Sequence, residues 1–152
     1  MLLVILDCDG TLWDHPDVSS MEPPFTRAGE DMLIDSRCEQ LKLNPGVREF
    51  LKQAKRLGVA LAVASWNDPG KVEAALRGLQ LHAFFDIVVA EPHPFKDQMV
   101  REILSRIKAD RVVYVDDWCE MLETVKGSFP YVKVIHYSVE VKDFYELKKQ
   151  II

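Results

Sequence analysis

The sequence predicts an α/β fold, a three-layer α/β/α sandwich around a Rossmann-like, mostly parallel sheet of about five strands. Short runs of branched apolar residues recur along the chain, and most are followed by a polar turn and a segment with helical spacing. The apolar runs are continuous rather than alternating, which is the pattern of strands buried on both faces. Crossovers between parallel strands are right-handed and lay helices on the sheet, so three layers are the economical solution. At 152 residues the chain is read as one domain, residues 1–152, with a single well-buried core.

The first strand is Leu3-Val4-Ile5-Leu6, which ends abruptly in Asp7-Cys8-Asp9-Gly10-Thr11. Asp14 to Glu30 carries Pro16, Pro23, Pro24 and Gly29 with little periodicity and reads as a loop or flap. Met32 to Asp35 and Gln40 to Leu43 are expected to pair as a hairpin. Flap and hairpin together form a small insertion at about 13–44, with no room for a large cap domain. Asn44-Pro45 opens a helix whose apolar residues are Val47, Phe50, Leu51, Ala54 and Leu57, and Gly58 stops it.

A second strand, Val59 to Ala64, ends in Ser65-Trp66-Asn67-Asp68. Pro69 suits the first turn of the next helix, with Asn67 or Asp68 as its cap. A third run, Phe84 to Val89, leads through Glu91-Pro92-His93-Pro94-Phe95 to Lys96 and a helix over Asp97 to Arg106. A fourth, Arg111 to Val115, ends in Asp116-Asp117 and is followed by a helix from Cys119 to Lys126. A fifth strand at Val132 to Ile135 and a helix over Asp143 to Gln150 complete the pattern.

Composition narrows the functions open to such a fold. Hydrophobic residues make up 48% and charged residues 28%, as in ordinary globular proteins. A net charge of -5 without any basic run argues against a nucleic-acid partner. No stretch approaches the roughly 20 apolar residues that span a bilayer, and the opening apolar run is too short for a signal segment. Cys8, Cys38 and Cys119 are widely spaced, odd in number and without a Cys-x-x-Cys pair, which fits a cytoplasmic setting.

Open α/β sheets bind ligands outside the carboxyl ends of their strands. There this chain gathers Asp7 and Asp9, Ser65, Lys96, and the Asp116-Asp117 pair. Oxygen ligands with a position left for a phosphate describe a Mg²⁺ site. Histidine and cysteine show no zinc spacing. Trp13, Trp66 and Trp118 each follow closely on one of these motifs, so they are expected around the pocket mouth or packed beneath its loops.

The ordered set resembles the haloacid dehalogenase superfamily on its phosphatase side. Asp7-Cys8-Asp9-Gly10-Thr11 matches the Asp-x-Asp-x-Thr motif, Ser65 the second motif, Lys96 the third and Asp116-Asp117 the fourth. Leu33-Ile34-Asp35-Ser36-Arg37 and Leu43-Asn44-Pro45-Gly46-Val47 are most similar to the small magnesium-dependent phosphatases. The resemblance implies Asp7 as nucleophile and Asp9 as general acid and base. It implies Mg²⁺ held by Asp7, Asp9 through its backbone carbonyl, Asp116 and Asp117. Ser65, Trp66, Asn67 and Lys96 would hold the phosphoryl oxygens, with Trp66 and Asn67 standing where relatives carry an arginine. The expected substrate is a phosphorylated small molecule, such as a sugar phosphate, or a phosphoprotein, including phosphotyrosine, acted on by a monomer or small homo-oligomer. The alternative is a non-catalytic phospho-acceptor or regulatory protein on the same scaffold. In phospho-acceptors of the two-component type the lysine follows the acceptor aspartate on the last strand, whereas here Lys96 precedes the final acids.

Overall fold

The computed structural model describes residues 1–152. The central strand β1, Leu2–Leu6, lies between β5, Ala60–Trp66, and β7, Arg111–Asp116. Strand β6, Ile87–Glu91, pairs with β5, and β8, Lys133–His136, pairs with β7, all in parallel. Leu6 stands opposite Val63 on one side and Val115 on the other. The five-stranded parallel sheet is therefore the one expected, and its first strand sits at the centre.

Alternation along β1 shows why its sequence is apolar throughout. Val4 and Leu6 point into a core shared with α1, Val47–Arg56, α2, Pro69–Gly78, and α5, Phe144–Ile151. Leu3 and Ile5 point the other way, into a core shared with α3, Lys96–Arg106, and α4, Cys119–Ser128. All four side chains are fully buried, so every position in the run needs to be apolar.

Local signals set the helix starts. Asp68 caps α2 by accepting from the Lys71 amide, with Pro69 in the first turn. Asp143 caps α5 by accepting from the Glu146 amide. Helix α1 begins after Gly46, whose φ of 84° is left-handed; a Cβ there would approach Tyr145 to 3.0 Å. This close approach lets α5 lie against α1.

The insertion contains the predicted hairpin, β3 Met32–Ile34 with β4 Gln40–Lys42, and a third antiparallel strand β2, Thr26–Arg27. Two residues are too short to show an alternating pattern, and β2 has no counterpart in the sequence-based expectations. Val18, Met21, Leu33 and Leu41 are buried in the same core as Val4 and Leu6, so the insertion is packed onto the sheet domain. It carries no helical cap. A short 3₁₀ turn, Val18–Ser20, is held by Asp17 at its start and by the Lys71 ammonium, which donates to the Ser19 and Met21 carbonyls. Several strand boundaries differ from expectation by one residue or more; β5 runs on through Ser65 to Trp66. Phe84 belongs to a 3₁₀ turn, so β6 begins at Ile87, and β8 runs one residue later than its apolar core.

Candidate active site

The carboxyl ends of β1, β5 and β7 open into a cavity of about 670 Å³. Asp7 follows β1 directly, its amide still donating to the Val115 carbonyl, so its side chain is set by the ladder. Asp116 closes β7. Oxygens of Asp7, Asp116 and Asp117 lie within 4.8 Å of one another. Gly10 permits this approach: it adopts a φ of 77°, and a Cβ there would collide with the Asp117 carboxylate. The Thr11 hydroxyl lies 3.2 Å from Asp7 Oδ2 and 3.4 Å from Asp117 Oδ1, tying the loop to both acids.

Lys96, the first residue of α3, reaches into this cluster and is only 2% exposed. Its Nζ lies 2.8 Å from Asp7 Oδ1, 3.0 Å from Asp116 Oδ2, 2.8 Å from the Ala64 carbonyl and 3.3 Å from the Tyr114 hydroxyl. Burial alone would lower its pKa, but Asp7, Tyr114 and Asp116 outweigh that and hold it well above the ordinary lysine value. The Tyr114 hydroxyl donates to Asp116 and is itself kept protonated, first by burial.

Ionised together, the three carboxylates against one ammonium would leave two uncompensated negative charges, the charge of one divalent cation. The strain shows in the acids. Burial, then the Asp116 charge, push Asp7 well above the usual carboxylate range, against the pull of Lys96. Asp117 is raised by the same two causes in the same order. An all-oxygen donor set of this kind suits Mg²⁺, and the residues present fit it.

Asp9 is not part of the acidic cluster. Its Oδ1 accepts from the Trp13 indole at 2.8 Å and the Val18 amide at 3.1 Å, and its Oδ2 from the Asn67 amide at 2.5 Å. Despite these three donors, burial raises its pKa, the direction expected for a proton donor at neutral pH. Asn67 also donates to Asp17 Oδ1 at 3.1 Å, so its amide is committed to two carboxylates and links the flap to the site.

The remaining sequence candidates divide. Ser65 is buried within β5, one residue before its end, and is not among the residues that line the cavity. Trp13 is fully buried beneath the loop rather than at the mouth. Trp66 and Trp118 do stand at the mouth, stacked with ring centroids 5.7 Å apart. The structure adds Tyr114 and Asp17 to the site, beyond the motif residues. A tyrosine alone among the valines of β7 is the signal that would have found the first.

The parallel sheet with acids at its carboxyl edge has a haloacid dehalogenase-type fold. Residues 1–99 match the model of the Acid Phosphatase family, and the chain belongs to that family. Over 83 residues it is 34% identical to magnesium-dependent phosphatase 1 of Homo sapiens, covering 55% of this chain and 46% of that one. The chain spans about half the length of the curated relatives it matches. Its fold matches a haloacid dehalogenase-superfamily hydrolase from Ehrlichia chaffeensis with a TM-score of 0.71 at 15% identity, covering 97% and 94% of the two chains. The N-terminal part of BF1531 from Bacteroides fragilis, which contains a phosphatase domain complexed with Mg, matches with a TM-score of 0.65 at 22% identity. That match covers 98% of this chain and 39% of the other.

Proposed function

We propose that residues 1–152 act as one catalytic unit, a Mg²⁺-dependent phosphomonoester hydrolase working through an aspartyl-phosphate on Asp7. The observation that carries this is the division of labour between two acids two residues apart. Asp7 lies in the cation-demanding cluster, whereas Asp9 is turned aside with a raised pKa.

In this reading an oxygen of Asp7 attacks phosphorus, forming the aspartyl-phosphate as the bond to the leaving oxygen breaks. Asp9 delivers its proton to that oxygen, then takes a proton from the water that attacks the intermediate and frees phosphate. Lys96 orients Asp7 and carries positive charge beside the phosphoryl oxygens. Mg²⁺, held by Asp7, Asp116, Asp117 and the Asp9 carbonyl, would neutralise charge on the phosphoryl group. A halide leaving group needs no acid, so Asp9 favours phosphate esters.

The uncapped cavity suits a phosphoprotein, phosphotyrosine included, and also admits a sugar phosphate. The three free, widely spaced cysteines fit a cytoplasmic setting, and the protein would act as a monomer or small homo-oligomer; no helix is long and apolar enough to cross a membrane. Hydrolysis of p-nitrophenyl phosphate, with and without Mg²⁺, tests the reading. Wild type should turn over only with the metal, and Asp7→Asn should lose about 10³-fold or more. Equal rates for the two proteins would reject Asp7 as nucleophile. Stoichiometric phosphorylation without turnover would favour the phospho-acceptor alternative.

A further inference from the structure

Trp66 ends β5 and Trp118 immediately precedes α4, after β7. Those strands flank β1 on either side, so a ring from each leans toward the other over the sheet edge to make contact. The planes are 12° from parallel, and the residues remain 42% and 48% exposed. Mutual packing therefore accounts for only part of each indole. Both line the cavity that holds Asp7 and Lys96.

Two further observations restrict what would sit against them. The cavity is lined by six aspartates and one cation, Lys96, which is already engaged by Asp7 and Asp116. No second cation waits for another phosphate or a carboxylate, so the part of a substrate beyond its single phosphate carries no negative charge. Parallel indoles also differ from the crossed walls of a cage that surrounds a quaternary ammonium. They offer a flat face on which another flat ring continues the stack.

We propose that Trp66 and Trp118 form a stacking platform for a planar, uncharged aromatic ring on the leaving-group side of the phosphomonoester, a specificity element that rests on the hydrolase reading above. Such a ring belongs to a phenolic phosphate or to the base of a nucleoside monophosphate. Stacking of one ring on an indole changes affinity by about tenfold.

The test compares kcat/KM for 1-naphthyl phosphate, adenosine 5′-monophosphate and glycerol 1-phosphate in wild type, Trp66→Ala, Trp118→Ala and the corresponding Phe variants. The alanine variants should lose about tenfold on at least one ring substrate, mainly in KM, and at least about fivefold less on glycerol 1-phosphate. The Phe variants should recover most of the loss, and the ring substrate that responds identifies the source. Equal losses on all three substrates, or no loss on either ring substrate, would overturn the platform. Calorimetric binding of 1-naphthyl phosphate and glycerol 1-phosphate to Asp7→Asn protein with Mg²⁺ separates the two readings. Ring-selective binding in a protein whose wild type hydrolyses nothing keeps the platform and rejects the hydrolase. Hydrolysis of all three without ring preference does the reverse.

Discussion

Lys96 and Asp7 are 2.8 Å apart, and burial affects their protons in opposite ways. The lysine keeps its charge because acids surround it, while Asp7 and Asp117 are pushed toward the neutral form by burial and by Asp116. An acid whose folded pKa is raised adds stability below its unfolded value, near 3.9 for aspartate, and loses it as pH rises through the folded value. Metal-free protein should therefore weaken as pH climbs out of the acidic range, and a divalent cation should reverse this. Thermal unfolding at pH 5 and pH 7.5 measures it. The upward Tm shift on adding Mg²⁺ should be larger at pH 7.5, and identical shifts at both pH values would contradict the cluster as described. Asp7, Asp9 and Asp116 were legible as residues because paired acids after a dry strand demand compensation. Ser65 was less so, since a hydroxyl near a strand end looks the same whether it faces the cavity or, as here, is buried within the strand.

At the scale of elements, the insertion is governed by one carboxylate. Asp35 accepts from the amides of Glu22, Arg37 and Glu39, and these bonds, with Glu22 foremost, hold its pKa below the usual range. The sign is now the opposite one. Its contribution is present above the unfolded value and is lost as pH falls through the lower folded value, so acid should loosen the flap before neutral conditions do. Asp35→Ala should expose the adjoining Arg37 peptide, read as severalfold faster trypsin cleavage after Arg37 at neutral pH. A cleavage rate matching wild type would mean that core packing alone holds the insertion. The β3–β4 hairpin was readable from two short apolar runs and a turn between them. The third strand β2 and the anchoring of the flap by Lys71 were not, because both depend on contacts with residues distant in sequence.

For the molecule as a whole, the insertion and the sheet share one set of buried side chains. Leu33 and Leu41 belong to the core that holds Val4, Leu6 and Phe144, and Phe50 meets Phe144 edge-on at 5.4 Å. Such sharing predicts one cooperative transition. Denaturation followed by tryptophan emission and by far-ultraviolet circular dichroism should give coincident midpoints; an earlier emission change would reveal an insertion that melts by itself. The parallel sheet could be foreseen because five double-sided apolar runs have few other ways to be covered. Its strand order could not, since nothing in a run of valines states which neighbour it takes.

The central position of β1 also bears on how the protein comes into being. Lys96 lies 89 positions beyond Asp7, and Asp117 lies 106 beyond Thr11. A ribosome therefore delivers Asp7 well before the groups that neutralise and align it. Until β7 joins β1, the nascent segment carries two acids without the partners that would let them grip a cation. The capacity to retain Mg²⁺ thus arises only once β7 has joined β1, as a sign that the central strands have paired.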